Sequence, residues 1–162
     1  MARQFSLPEF LPPVQLLNPA ADAAGRTSNY VSIKRGVKAT IVVHITQGNA
    51  ATVTLTPLQA TDVSGTGSKG LTSGAYIWSA LDQATTDLMT KQAAATSYTT
   101  DAAVKNKVIV FELSPQDCMD MANGFDCVAI QTGASNAANI TQAMIYVYSD
   151  YQQAQPPSIL VN

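Results

Sequence analysis

The sequence is poor in charged residues and in the residue types that build catalytic and metal sites. Asp, Glu, Lys and Arg make up 12% of its 162 residues, against roughly 25% in an average globular domain. It has one histidine, His44, and two cysteines, Cys118 and Cys127. Two cysteines are too few for a disulfide framework, so we expect free, buried thiols. A single bridge between the two is the alternative.

Small and polar residues (Ala, Thr, Ser, Gln and Asn) take the place of the missing charges. An isolated cytosolic enzyme usually keeps a charged surface for solubility, so we expect neighbouring proteins to cover much of this surface. The alternative is a neutral extracellular β-protein. The net charge is −2, and the basic residues neither form a stripe nor alternate with aromatic residues, so nucleic acid is not an expected partner.

Long apolar segments are also missing. The first residues, MARQFSLPEF, lack the roughly 7 to 15 apolar residues of a signal-peptide core. No apolar run approaches the ~20 residues that span a bilayer. We therefore expect no membrane partner, and we expect synthesis and folding in the cytoplasm.

Proline is scarce in the middle of the chain and frequent at its ends. Because proline fixes φ and lacks a backbone donor, such ends neither form helices nor pair as central strands. We therefore predict an extended N-terminal arm over residues 1–25, a body over residues 26–150 and an extended C-terminal tail over residues 151–162. The six terminal prolines, out of eight in the chain, are Pro8, Pro12, Pro13, Pro19, Pro156 and Pro157.

Alternation of apolar and polar residues predicts a body made of short strands. The clearest strand covers Lys38 to Thr46, where the odd-numbered residues are apolar and the even-numbered ones are mixed. Turn residues follow at 47–49 and the alternation resumes over 51–56, so we predict a hairpin. The segment 93–103 is assigned to a loop or an edge strand. Further strands are predicted at 30–35, 75–80, 86–92, 107–113, 125–132 and 140–149.

One short helix and several loops complete the prediction. Ser114 and Pro115 are typical of a helix start and Gly124 of a helix end, so a helix is predicted over 115–123. The glycine-rich residues 64–70 indicate a mobile surface loop. About eight short strands at this spacing are typical of a β-sandwich or barrel. We predict a mainly β fold: a single, jelly-roll-like β-sandwich.

No combination of residues indicates catalysis, a metal or a cofactor. His44 lies on the mixed face of a strand, and no serine is set in a nucleophile elbow. The two cysteines have no histidine near them that would complete a zinc site. The aspartates at 117, 120 and 126 lack the loop of a calcium site, and no Lys-Ser or Lys-Thr pair follows the glycines as in a phosphate loop. We expect a protein that is not an enzyme.

Tyrosines are concentrated in and just after the last predicted strand. Tyr146, Tyr148 and Tyr151 are in the same region, and Met144 has the parity of Tyr146. Such a face is typical of a core or a subunit contact, and less often of carbohydrate binding. We assign the three tyrosines to a subunit interface and keep the carbohydrate site, with Trp78, as the alternative.

Three segments carry a resemblance to a known class of protein. They are QLLNPAADAAGRTSNYVSIK (15–34), QGNAATVTLTPLQATDVSGTG (47–67) and GFDCVAIQTGASNAANITQAMIYVYSDYQQAQPP (124–157). Together they resemble small structural proteins of tailed bacteriophages, most of all head decoration, or cement, proteins. The resemblance implies a non-enzymatic β-sandwich that forms trimers or dimers on the outer capsid surface. It also implies terminal arms that reach over neighbouring capsid subunits.

In this interpretation the apolar residues of the N-terminal arm dock on the major capsid protein. They are too apolar for a solvated tail, and stiff proline-rich segments lose little entropy on docking. The alternatives are a tail-tube, neck or fibre-base protein of the same kind of virus, and a carbohydrate-binding module. The predicted docking residues are Phe5, Leu7, Phe10, Leu11, Val14, Leu16 and Leu17.

Overall fold

Two antiparallel β-sheets pack face to face in the structure, a computed structural model that describes residues 5–149 and 158–161. Each long strand has apolar residues at every second position, so one face of each sheet is apolar and is buried against the other sheet. Ile41 and Phe111 from one sheet and Ile130 from the other are fully buried in this core. Within the described residues, no helix is both long and apolar enough to cross a membrane.

Sheet A has six strands and contains the longest ones. Its two longest strands, β4 (Gly36–Gln47) and β12 (Asn139–Ser149), pair over nearly their whole length. Across the sheet the strands are β1 (Pro13–Ala21), β12 (Asn139–Ser149), β4 (Gly36–Gln47), β10 (Asn106–Leu113), β7 (Tyr76–Ala80) and β8 (Thr90–Lys91).

Sheet B is built around two longer strands, to which four two-residue strands are added. The strands of sheet B are β2 (Arg26–Thr27), β3 (Val31–Ser32), β11 (Cys127–Thr132), β5 (Thr54–Ala60), β6 (Lys69–Gly70) and β9 (Tyr98–Thr99). β11 pairs with β5, β2 and β3 both pair with β11, and β6 and β9 both pair with β5.

The strand order is that of a jelly roll. Along the chain, the main strands alternate between the sheets: β1 in A, β2 and β3 in B, β4 in A, β5 in B, β10 in A, β11 in B and β12 in A. The order β1-β12-β4-β10 therefore faces β2/β3-β11-β5-β9, which is the double Greek-key arrangement of jelly-roll sandwiches. β7 and β8 extend sheet A beyond β10. The predicted β-sandwich is confirmed, and its core includes Ile109, Phe111 and Leu113 from the predicted 107–113 strand.

The predicted hairpin between residues 38–46 and 51–56 is wrong. Both strands exist, as β4 and as β5, but they lie in different sheets. β10 and β12 occupy the two edges of β4, so neither edge is left for β5. The segment between them crosses over the end of the sandwich, where Gly48 lies so close to the Ala138 carbonyl that a Cβ would be 2.5 Å from that oxygen.

The predicted N-terminal arm is shorter than residues 1–25, because residues 13–21 form β1. β1 is an edge strand, where proline is tolerated because no donor is needed on the solvent side. Pro13 is opposite Tyr146, and Pro19 falls where the register shifts. The segment before β1 is also not fully extended, since Leu7–Phe10 forms a single helical turn, α1.

At the other end, residues 158–161 lie against the body. Ser32 of β3 donates its backbone N–H to the Ile159 carbonyl at 2.8 Å, and Ile159 packs on the core. The rest of the predicted tail, residues 151–157 and 162, lies outside the described residues.

The predicted helix over 115–123 is two short pieces. α2 covers Pro115–Cys118, and a 3-10 turn covers Met121–Asn123. Between them Met119 is extended and buried, and the Asp120 N–H binds the Gln59 side chain at 2.7 Å. Burial of Met119 interrupts the helix. Gly124 has a left-handed backbone, as a helix-terminating glycine should.

Candidate functional site

A row of apolar side chains crosses the solvent-facing surface of sheet A. On each strand these residues alternate with fully buried ones, so they point away from the core. Strand register places them side by side, with Lys91 at one end and Gln15 at the other. We call this the central row; its apolar members are Trp78, Val110, Val42 and Met144.

A second row runs beside the central row on the same surface. Tyr76 is opposite Glu112, which is followed by Thr40, Tyr146 and Pro13 on the neighbouring strands. Tyr148 is opposite Lys38, two residues further along both strands. The two described tyrosines of the predicted subunit interface therefore share a surface with Trp78. The third, Tyr151, lies outside the described residues.

The charges on this surface are few: two lysines and one glutamate. The Lys38 ammonium lies 3.3 Å from the Glu112 carboxylate. The Lys91 ammonium lies 4.8 Å from the centre of the Tyr76 ring and 5.8 Å from that of Trp78, which is within reach of a cation–π attraction. The surface is thus a nearly neutral, partly buried aromatic and aliphatic platform.

The surface of sheet B differs, because its open part is polar. The residues of β2, β5, β9 and β11 that point away from the core there are Thr27, Thr54, Thr56, Thr99 and Gln131. Among the described outward residues of this sheet, the apolar ones lie where the 61–68 loop and Tyr30 cover it. There Tyr30, Ala60, Cys127 and Ala129 form a small buried cluster, against which Leu58 and Val63 pack.

His44 lies in a shallow depression of about 390 Å³ at the end of the sheet A surface. Gln83, Asn106 and Gln142 line it as well, together with Ile140. The described residues that line it include one imidazole and no carboxylate, and its polar side chains are mostly amides. No group of three or more metal-ligating side chains occurs in residues 5–149 and 158–161.

Both cysteines are free and buried, as expected. Burial raises the pKa of the Cys127 thiol to about 12, and the neighbouring Asp126 carboxylate acts in the same direction. Burial also raises the pKa of Cys118, whose Sγ lies 3.7 Å from the Gly74 carbonyl. Since the thiolate is the reactive form, neither thiol is activated as a nucleophile or ligand.

The seven predicted docking residues separate into two groups. Leu16 and Leu17 are only 4% exposed, because β1 places them in the core of this chain; for these two the prediction is corrected. Val14, also on β1, is half-buried and packs on the same core. The remaining four lie before β1, where Phe5 is 65% and Leu7 41% exposed, and the rings of Phe5 and Phe10 stack 5.4 Å apart. Leu11 ends the helical turn.

The central row was not recognised from the sequence, although part of its signal was visible. Val42 interrupts the otherwise polar face of the 38–46 strand, and Met144 shares the parity of Tyr146. Val110 and Trp78 give no such sign, because only the pairing of β4, β10 and β7 brings them into line with Val42.

Comparison with known proteins gives no family. No protein-family model matches the chain, and no curated protein matches it. One similar solved structure is that of the SPBc2 prophage-derived protein YomS, at 9% identity and a TM-score of 0.46, with 83% of this chain and 90% of that chain covered. Desmodium yellow mottle tymovirus aligns at 10% identity and a TM-score of 0.18, covering 96% and 97%. Both scores are below 0.5, so neither likeness carries an inference.

Proposed function

We propose that this chain is a non-enzymatic structural protein of a tailed-bacteriophage virion, one that binds the outer capsid surface and stabilises the shell as a decoration protein. It is synthesised in the host cytoplasm, and its partners are the major capsid protein and further copies of itself, as a trimer or dimer. The observation that carries the proposal is the exposed apolar segment before β1. The resemblance of the three sequence segments to phage structural proteins supports it.

The docking segment consists of residues 1–12, of which 5–12 are described. Leu7 in the α1 turn and Phe5 just before it present their side chains to solvent, and Pro8 fixes the backbone beside them. Burying two such side chains against a partner is worth about 1.5–3 kcal/mol each. A decoration protein binds a repetitive lattice through many copies, so modest contacts for each copy are sufficient.

Removal of residues 1–12 should abolish capsid binding and leave the sandwich folded. The cut must not go further, because β1 supplies Leu16 and Leu17 to the core. Binding is measured by co-sedimentation with capsid shells that lack the protein, and folding by circular dichroism and the thermal midpoint. Retained binding by a folded truncated protein would show that another surface docks.

A milder variant tests the same segment without shortening the chain. Phe5→Ser combined with Leu7→Ser should weaken capsid binding on the order of 100-fold, from about 3 kcal/mol of lost burial. The matched control is Leu88→Ser in the loop between β7 and β8, where the leucine is 77% exposed. If the control weakens binding as much as the double variant, the effect is general hydrophobicity and not docking of the segment.

A second candidate function, carbohydrate binding, is favoured by one observation. Tyr76 and Trp78 present neighbouring rings on the open surface of β7, with the Lys91 ammonium beside them. Stacked aromatic rings are suited to the apolar faces of sugars. Glycan-array binding that disappears in Trp78→Ala would favour this function over capsid binding. Rings or tubes of the purified protein in electron micrographs would instead favour a tail-tube, neck or fibre-base role.

A further inference from the structure

The central row is unusual for an outer sheet surface. In β-sandwiches the residues that point outward are normally polar and alternate with the buried ones. Here four neighbouring strands of sheet A place Trp78, Val110, Val42 and Met144 side by side on the outside. All four are partly buried among their neighbours on the sheet, and each keeps a fraction of its side chain open to solvent.

The same chain shows what an uncovered surface looks like. Where sheet B is open, its outward residues are threonines and a glutamine, and its apolar outward residues are under a loop. The composition of the two surfaces therefore differs although the strands of both have the same alternation. A surface left in water needs no tryptophan or methionine, so the contrast indicates that the sheet A surface is covered by a partner.

We propose that the partner is a second copy of this chain, and that the outer surface of sheet A is the self-association interface. The inference rests on the proposed function, to which it adds the surface through which copies meet. The charge of the surface favours a second copy over a different protein, and its size is sufficient for a dimer interface.

Charge is the first property. A two-fold interface brings a surface against itself, so the surface must be self-complementary. An excess of one sign would repel its own copy, but here Lys38 and Glu112 neutralise each other within the surface. Lys91 lies at the end of the row, next to the aromatic rings. In the two-fold arrangement that reverses the row, Trp78 faces Met144 of the second copy, a favourable sulfur–aromatic contact, and Val110 faces Val42.

Size is the second property. Six strands at a spacing of about 4.8 Å give a width of about 24 Å, and strands of about eight residues give a length of about 26 Å. The surface is thus roughly 600 Å² for each copy, or roughly 1,200 Å² for the pair, which reaches the lower limit of specific protein interfaces. A sheet surface of this size is sufficient for a dimer that the capsid lattice then reinforces.

Fluorescence tests the proposal without any substitution. Trp78 is the only tryptophan of the chain, and it lies in the central row. As the protein concentration rises through the association range, its emission should shift to shorter wavelength and its quenching by acrylamide should fall several-fold, in step with the mass from light scattering. Association without any change at Trp78 would overturn the proposal, and so would a protein that stays monomeric at millimolar concentration.

A charged substitution gives a second test of the same surface, by disrupting it. Val42→Lys places an ammonium at the centre of the row and should weaken self-association roughly 100-fold, because the charge would be buried without a partner. Thr56→Lys is the matched control: it is also β-branched, half-buried and central, but in sheet B. Equal association of both variants would overturn the proposal; should Val42→Lys fail to fold, the fluorescence result decides.

The proposal and the capsid function fail in different ways. A truncated protein that lacks residues 1–12 should still associate, while Val42→Lys should still bind capsid shells, at lower avidity. If wild-type protein shows no association in solution but Trp78 becomes protected when capsid shells are added, the surface binds the capsid and the second-copy proposal is wrong. If association occurs but no variant or wild-type protein binds capsids, the self-association interface stands and the decoration function is wrong.

Discussion

Replacing Asp22 with alanine should lower the free energy of unfolding by about 3–5 kcal/mol, because it leaves buried charged and polar groups without their acceptor. Asp22 is fully buried in the turn between β1 and β2. Its Oδ1 accepts from Arg26 Nε at 3.1 Å and from the Thr132 hydroxyl at 2.8 Å, and its Oδ2 accepts from the Thr141 hydroxyl. These partners come from β2, β11 and β12.

Arg26 extends the network across the gap between the two sheets. Its guanidinium donates to the backbone carbonyls of Ala20, at 3.0 Å, and Thr141, at 2.7 Å, in sheet A, while its own backbone pairs with β11 in sheet B. The Asp22–Arg26 ion pair therefore connects β1 and β12 of sheet A with β2 and β11 of sheet B. Loss of Asp22 leaves a guanidinium that is only 20% exposed without its counter-charge.

The measurement is the urea midpoint, with the slope m as a check that unfolding stays two-state. Asp22→Asn keeps one oxygen for Arg26 and Thr132 but removes the charge, so its free energy of unfolding should fall less than that of Asp22→Ala. Asp87→Ala, in the exposed loop before β8, is the matched control and should stay within about 0.5 kcal/mol of wild type. A loss below about 1 kcal/mol for Asp22→Ala would contradict the assigned role of the network.

The sequence predicted the strands better than their arrangement. The 38–46 and 107–113 strands were found because a buried face and an open face give a period of two, which is a local signal. The hairpin was predicted wrongly because the turn residues at 47–49 fit a tight reversal equally well whether the next strand pairs with β4 or crosses to sheet B. Only β10 and β12, some 60 and 90 residues later in the chain, decide this by occupying both edges of β4.

The N-terminal prolines were informative about the position of a strand and misleading about its existence. They exclude a central strand, but β1 is an edge strand, for which one side needs no donors. The apolar residues at 14, 16 and 17 were therefore assigned to an external partner when two of them lie in the core. Composition cannot show whether apolar residues pack against a partner or against the core of their own chain, since both bury apolar area in the same way.

Buried polar groups were the least predictable part. Asp22 and Arg26 are four residues apart and read as ordinary surface charges, because their partners Thr132 and Thr141 are more than a hundred residues away. Lys107 did carry a signal, since it shares parity with the core residues Ile109, Phe111 and Leu113. Its side chain is indeed fully buried, which makes its interactions the subject of the last prediction.

Removing the half-exposed Asp101 should destabilise the protein more than removing the fully buried Lys107. The Lys107 ammonium donates to the Asp101 carboxylate, to the Asp101 carbonyl at 2.9 Å and to Gln47 Oε1 at 2.8 Å. The lysine side chain is 0% exposed and that of Asp101 48%. Asp101→Ala leaves a buried ammonium with neutral acceptors only. The free energy of unfolding should therefore fall by about 3 kcal/mol.

Lys107→Met leaves no such charge behind. The Asp101 carboxylate is open enough to be hydrated, Gln47 Oε1 keeps the Thr100 hydroxyl at 2.9 Å, and methionine fills the space of the lysine stem. The free energy of unfolding of Lys107→Met should fall by about 1 kcal/mol or less, because replacing a buried ion pair with apolar side chains usually costs little stability. Urea midpoints of the two variants give the comparison, and a larger loss for Lys107→Met would reverse the argument.

The pH dependence gives a second readout of the same pair. The hydrogen bond from Lys107 holds the pKa of Asp101 below its ordinary value of 3.8. A lowered pKa in the folded state stabilises the protein above the ordinary pKa, and that stability is lost as the pH falls through the lowered value. Protonation removes the negative charge of Asp101 in the wild type, and Asp101→Asn removes it at every pH. The difference in unfolding free energy between wild type and Asp101→Asn should therefore be constant from pH 5 upward and shrink below about pH 4. A constant difference down to pH 2 would mean that the charge of Asp101 does not stabilise the buried lysine.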